Sequence, residues 1–352
     1  MPNSITIAID AMGGDHAPES VMAGIEIVAK SRPGVRYQIH GDPARINALL
    51  ATMPAAKASS TIVPADRAIG MEVKPSQALR QGKGSSMWNA VAAVEEGTAN
   101  AVVSAGNTGA LMAIAMMRLR MMQGVHRPAL VASWPTMNGI CCVLDVGANV
   151  GADARQLVEF AVMGEAFFRA VHGVDRPSVG LLNVGAEDQK GHEEIRAAAK
   201  VIREANLDLA FHGFVEGDDI GKGTVDVVVT DGFSGNIALK TAEGTARLVG
   251  HFLKEALTGG PFAKIGALIA YPALRKLKKR MDPGRVNGGV FLGVNGLVVK
   301  SHGGADAAGF AAAVDVAIRM ARSAYREEIA TKLAPLASAA TAALPATGTD
   351  AS

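Results

Sequence analysis

The chain has 352 residues, 49% hydrophobic and only 4% aromatic, with Lys+Arg 35 against Asp+Glu 33 and a formal net charge of +2. That composition supports a large packed core. Balanced charge and few stacking rings argue against nucleic acid as a partner.

Cys141 and Cys142 are adjacent in an apolar strand-like run. Neighbours on a strand face opposite ways, so no structural disulfide is expected and a reducing cytosol is the natural setting. The start, MPNSITIAIDAMGG, lacks the pattern of a secretory leader. No stretch approaches the ~20 apolar residues of a membrane span. No zinc-ligand spacing is present.

In chain order, Ile5–Asp10 reads as a strand, and Pro18 suits the first turn of a helix over Glu19–Lys30. Strands follow at Tyr37–Gly41 and Ser60–Val63, with a short helix at Ile46–Met53 between them. Pro75–Lys83 and Met87–Glu96 read as helices. Ala101–Ser104 is a strand, then a helix spans about Ala110–Met122. Ala129–Trp134 and Gly139–Val146 are strands, followed by a helix over Ala154–Val171, strand Val179–Val184 and helix Glu193–Ala205.

Leu209–Gly213 and Val225–Thr230 are strands; the second leads into a small-residue loop, Asp231–Asn236, and a helix from about Ile237. A late hairpin fits Gly289–Leu292 and Leu297–Lys300, and the last helix spans about Asp306–Leu333. This alternation predicts an α/β class: a mostly parallel sheet with helices on both faces, one catalytic domain over residues 1–333 and a cleft. The Ala-, Thr- and Ser-rich residues 334–352 read as a disordered tail.

Four times an apolar strand ends in a Gly-containing polar loop before a helix. The loops are Ser104–Gly109, Asp145–Asn149, Asn183–Glu187 with Lys190 beyond, and Asp231–Asn236. In a parallel sheet such loops share one edge, which predicts convergence on one anion or acyl site. The competing reading is helix capping. Capping explains one Asn or Asp per helix, and less readily Glu187, Asp188 and Lys190.

Familiar motifs do not fit. There is no G-x-G-x-x-G and no G-x-S-x-G elbow. A Walker-like run, Gly217–Thr224, has one residue too few between its glycines. Around Gly82–Ser86, Arg80, Lys83, Ser85 and Ser86 offer charge and donors to a phosphate, or simply a solvated helix end. His16 and His302 sit in loops after strands as candidate general acids or phosphate ligands. Asp10, Asp15, Asp145 and Asp231 lie in separate loops without metal spacing.

Residues 249–285 form an amphipathic, basic segment. Phe262, Ile265, Leu268 and Ile269 fall on one helical face, and five of the six residues Arg275–Arg280 are basic. That pattern fits an interfacial helix or a surface for an acidic partner, with core or dimer packing as the alternative.

Several motifs resemble the PlsX-type phosphate acyltransferases of bacterial phospholipid synthesis. They are Asp10-Ala-Met-Gly-Gly-Asp-His-Ala-Pro18, Val103–Ala110, Leu144–Asn149, Leu181–Gly185, Gly213–Gly217, Val225–Asn236 and Lys300-Ser-His-Gly303, in the expected order from Ile5 to about Ala330. The resemblance implies a fold similar to phosphate acetyltransferases and isocitrate- or isopropylmalate-type dehydrogenases. It implies transfer of a long-chain acyl group from acyl carrier protein to inorganic phosphate, the acyl phosphate then serving a glycerol-3-phosphate acyltransferase. The resemblance further implies a cytoplasmic homodimer associated peripherally with the membrane, with neither metal nor cofactor.

Lys190 is expected to neutralise phosphate or the oxyanion, and Asn236 to donate to the carbonyl. His16 and Asn107 are expected to hold phosphate or protonate the thiolate. Asp10, Gly13, Gly14, Thr108, Asn149, Asp231, Ser234, Lys83 and His302 complete the expected substrate set. Lys276, Lys278, Lys279 and Arg280 are expected to meet lipid headgroups or the acidic carrier. Rival readings are a phosphate acetyltransferase using acyl-CoA, a metal-dependent dehydrogenase, and a non-catalytic membrane scaffold.

Overall fold

A computed structural model describes residues 5–205, 207–281 and 287–342; in the helices ending at Met281 and Ala342, side chains are described as far as Lys276 and Ala334. The first part runs β1 (Thr6–Asp10), α1 (Glu19–Ser31), β2 (Arg36–Gly41), α2 (Pro43–Leu50), α3 (Pro54–Ser59), β3 (Ser60–Pro64), α4 (Pro75–Gln81), α5 (Ser86–Glu95), β4 (Ala101–Ser104) and α6 (Thr108–Leu119). A hairpin of β5 (Ala129–Thr136) and β6 (Gly139–Leu144) follows. Next come α7 (Ala154–His172), β7 (Ser178–Leu182), α8 (Glu193–Glu204), β8 (Ala210–Val215), α9 (Gly217–Lys222), β9 (Val227–Val229), α10 (Gly232–Thr258) and α11 (Pro261–Met281). The described chain ends with β10 (Gly289–Leu292), β11 (Leu297–Lys300), α12 (Ala307–Ala321) and α13 (Tyr325–Ala342).

The strands make one 11-stranded sheet, ordered β3-β2-β1-β4-β11-β10-β5-β6-β9-β7-β8. Continuous β-branched runs such as Val227–Val229 are buried throughout, as expected when both faces are covered. The predicted α/β architecture with a mostly parallel sheet is the one formed.

Its polarity differs from expectation. β3, β2, β1, β4 and β11 are mutually parallel. β10 runs against both β11 and β5, and β5 runs against β6. β6, β9, β7 and β8 are then parallel to one another. The two parallel blocks therefore point in opposite directions. Loops after β1, β4 and β11 lie at one edge; those after β6, β7 and β9 lie at the other. The single shared edge expected for the four loops is corrected accordingly. The β5–β6 hairpin turns the chain back, and the later parallel crossovers keep that new direction.

One face carries α1, α12, α7 and α8, with Ile25, Phe310, Phe160 and Ala198 in a common core. On the other face Ala90 of α5 and Leu111 of α6 share a cluster. Leu130 of β5 packs against that cluster and against a second one that Leu239 of α10 joins. So α6 and α10 occupy the same face, with Leu130 between them.

Other boundaries moved. α10 starts at Gly232, so most of the expected loop Asp231–Asn236 is its first turn. α3 and α9 were not anticipated; α9 fills the Walker-like run and is opened by a Glu216/Asp219 capping box. The expected last helix is two, and α13 continues to Ala342, past the tail start read at Ala334. High alanine propensity favours that extension. Residues 343–352 lie outside the described residues. Among the described residues, no helix is long and apolar enough to cross a membrane.

Candidate active site

At the first edge, Asp10 closes β1 and is 1% exposed. Its Oδ1 accepts from Ser86 Oγ at 2.6 Å and its Oδ2 from Ser104 Oγ at 2.6 Å. Burial raises its pKa, while these hydroxyls and the charge of Lys300 act against the rise. Lys300 closes β11 beside Ser104 and is 8% exposed. Its Nζ donates to the carbonyls of Ala105, at 3.3 Å, and Ser301. Burial pushes it down to about 8; Asp10 and Asp15 hold it up, and Lys240 pushes with burial.

The surrounding loops are tied to each other. Asp15 N donates to Gly303 O at 2.9 Å, joining the loops that carry His16 and His302. A side chain at Gly13 would stand 2.5 Å from Asp10 Oδ2 and 2.7 Å from Gly106 N, so the loops after β1 and β4 touch only through glycine. Gly14 sits beside it with φ +108°.

Asn107 is the N-cap of α6. Its Oδ1 accepts from Ala110 N at 3.0 Å, and its amide donates to the carbonyls of Met71 and Val73 at 2.5 and 2.9 Å. That side chain latches the loop rather than facing solvent. Thr108, next in the chain, is exposed, and so is His16 in the loop after β1. His302 is exposed too, its Nδ1 accepting from Gly304 N at 3.2 Å. Lys83 stands exposed in the turn before α5, whose cap is Ser85.

At the opposite edge, Asp145 is fully buried. It accepts from the backbone N–H groups of Leu130, Gly147, Ala148 and Asn149 at 2.7–3.1 Å. The Asn149 amide joins it at 2.9 Å and also reaches Pro128 O at 2.7 Å. Both side chains are occupied in building their loop. Asp231 is the N-cap of α10, accepting from Ser234 N at 2.9 Å and Ser234 Oγ at 2.8 Å. Capping, the competing reading for these two, is what their polar atoms do. A Cβ on Gly235 would overlap the Asp145 carbonyl, so α10 starts pressed against the loop after β6.

Asn236 differs from its neighbours. It is exposed, lies over Gly147, and its side chain has no hydrogen bond among the described residues. Lys190 is also exposed, pairing with Glu187 at 3.0 Å. That hydrogen bond is the main reason the Glu187 carboxyl sits below its ordinary pKa. Asn183 holds this loop closed through Nδ2 to Lys190 O at 3.1 Å.

The ladder shows how the two edges relate. Val298 pairs with Phe291 and Phe291 with Leu130. Val146 N donates to Leu130 O at 3.0 Å, so β6 ends in that same row. Lys300 lies two residues further along β11, about 7 Å on, with three strand gaps, about 14 Å, between. α10 closes the gap: Lys240 is nine residues past Asp231, about 13 Å up the helix. Its charge reaches Lys300. The polar groups thus approach across the face between α6 and α10, not along one edge.

Lys300 and Ser104 escaped the site residues read from the sequence, and Ser86 entered only as a phosphate donor, not as a partner of Asp10. Their signal was weak: a lysine closing the run Leu-Val-Val-Lys, and hydroxyls at a helix start and a strand end. The apolar segment is largely bare. Phe262, Ile265, Leu268 and Ile269 are 88%, 58%, 76% and 78% exposed. Lys276 is exposed, and the side chains of Lys278, Lys279 and Arg280 lie outside the described residues.

Comparison with known proteins places the chain. It is 61% identical over 342 residues to a phosphate acyltransferase of Caulobacter vibrioides, covering 97% of this chain and 95% of the relative. It is 56% identical over 334 residues to a phosphate acyltransferase of Parvibaculum lavamentivorans, covering 95% and 92%. Among solved structures, a phosphotransacetylase from Streptococcus pyogenes matches with TM-score 0.61 at 18% identity, covering 91% of this chain and 95% of that one. The EutD phosphotransacetylase of Staphylococcus aureus matches with TM-score 0.57 at 17% identity, covering 94% of each. These two show a shared fold. The profile of the fatty acid synthesis proteins matches residues 5–327, and the chain belongs to that family.

Proposed function

We propose that the chain moves a long-chain acyl group from an acyl carrier protein thioester to inorganic phosphate. The observation that carries this reading is a free amide, Asn236, near the start of α10, on the same face as a buried cation, Lys300 at the end of β11, which the charge of Lys240 further up that helix reaches. The naming of close relatives as phosphate acyltransferases supports the reaction class.

A phosphate oxygen attacks the thioester carbonyl carbon. The C–O bond forms, the C–S bond breaks, sulfur leaves with the electron pair, and the proton of phosphate passes to it. A thioester is already activated, so no enzyme nucleophile is required. Both cysteines are buried, and burial pushes Cys141 up to about 12 and Cys142 higher still, which suits packing rather than attack.

Asn236 donates to the developing oxyanion, and Lys190 neutralises it. Lys300, His16, Thr108 and His302 line the phosphate end; Asp10 and Asn107 hold its loops in place. The acyl phosphate is then available to acylate glycerol 3-phosphate. The chain acts as a cytoplasmic homodimer resting on the membrane through the bare face of α11.

The deciding assay mixes purified protein, a palmitoyl carrier-protein thioester and phosphate, and traps acyl phosphate with hydroxylamine. Absence of phosphate-dependent product removes the reading. Preference for acetyl-CoA would turn it to a phosphate acetyltransferase. Ile265→Glu should weaken binding to phosphatidylglycerol vesicles about tenfold, the scale of one buried aliphatic side chain. Unchanged co-sedimentation removes the membrane contact.

A further inference from the structure

The edge that carries Lys190 and Asp231 also opens into a pocket of about 260 Å³. It lies between the starts of α7 and α8 and the ends of β7 and β9. Ala152, Leu157, Leu181, Leu182, Ile195 and Val229 line it, with Thr230, Asp231, His192 and Glu194 as its polar members.

Around this edge stand exposed apolar side chains from three neighbouring segments. Val150, after β6, is 82% exposed; Val184, after β7, is 75%; Phe233, in the first turn of α10, is 62%. β9 pairs with both β6 and β7, so these segments are adjacent, and Phe233 N donates to Val150 O at 3.2 Å. A single exposed valine means little. Three large apolar groups around one apolar pocket mark a binding surface.

The lining selects among occupants. An anion would meet the carboxylates of Asp231 and Glu194. A pantetheine arm would bring amides that the aliphatic wall leaves without partners. An alkyl chain needs neither charge nor donors and gains from leaving water.

We propose that this pocket, with the Val150–Val184–Phe233 collar, holds the alkyl chain of the acyl substrate and sets chain-length preference. The inference rests on the acyl-transfer reading. It adds a subsite behind Asp231, on the far side of that residue from Lys300. The carbonyl then stays at Asn236 while the chain passes over the sheet edge.

Ile195, partly exposed in the first turn of α8, allows substitution in both directions. The test measures kcat/KM for butanoyl, octanoyl and hexadecanoyl carrier-protein thioesters with wild type, Ile195→Trp and Ile195→Ala. Filling the pocket should lower the hexadecanoyl-to-butanoyl ratio by about tenfold or more, the scale of a few methylenes in an apolar site. Ile195→Ala should move the optimum toward longer chains, and it remains informative if the tryptophan variant misfolds. Equal scaling across all chain lengths in the folded variants, as pantetheine occupancy would produce, overturns the proposal. Wild type showing no phosphate-dependent transfer would instead overturn the acyl-transfer reading itself.

Discussion

The two ends of the candidate site are built in opposite ways. At the Asp10 end the charges are buried and already spoken for: Asp10 by two serines, Lys300 by two carbonyls. At the Asn236 end the acting groups are exposed, Asn236 without a side-chain partner among the described residues and Lys190 paired only with Glu187, on a scaffold whose own polar atoms are consumed by capping and by Asp145. A buried network is rigid and preorganised, which suits a small ion of fixed shape. A free amide and an exposed lysine beside an apolar collar suit a substrate that arrives on a long, variable chain.

The contrast is sharpest in turnover. Asn236→Ala and Lys190→Ala should each lower kcat by ~10²-fold, the scale of losing one oxyanion donor. Near wild-type rates in both folded variants would remove these roles. Lys300→Met should act on the other substrate, lowering kcat/KM for phosphate by about tenfold, on the scale of one charged hydrogen bond.

pH separates the ends further. The folded Lys300 titrates at about 8, below its ordinary 10.5. Phosphate affinity should therefore decline as pH rises through 8, and Lys300→Arg should remove that decline. Stability runs the other way: burial of the charge opposes folding below pH 8, and the opposition fades between 8 and 10.5. A phosphate KM independent of pH would break the comparison.

A third change probes the seam. Gly235→Ala would drive a Cβ into the Asp145 carbonyl, and should destabilise by about 1–3 kcal/mol in denaturant unfolding. It should also displace Asn236, so kcat should fall with stability. The smallest effect lies behind the first end. His40 is buried, neither ring nitrogen has a hydrogen-bond partner among the described residues, and burial pushes it down to about 4. Its stabilising neutral form is complete above its ordinary 6.5 and is lost as pH falls toward 4. His40→Leu should flatten the acid side of the stability curve by on the order of 1 kcal/mol.

Strand and helix succession was legible because it is local. β4 and β11 were read to the residue, since buried β-branched runs and the glycines around them encode strand and turn directly. The first turn of α10 was misplaced because Gly-Phe-Ser-Gly reads as a loop; only the packing of Gly232 and Gly235 against the loop after β6 makes it helix. Asn236 and Lys190 stood out as polar residues in Gly-rich loops. Lys300 did not, because a strand-end lysine reads as solvated until its burial is seen.

The sequence alone determined the fold class, the polar strand-to-helix loops and the family, since period, turn residues and motifs are properties of short stretches. The tertiary structure decided strand direction across the hairpin, and with it which loops share an edge. It also decided which side chains remain free, because capping and burial depend on partners far away in the chain. Asp10 meets Ser86 and Ser104, and Lys240 faces Lys300, through contacts that no local spacing encodes.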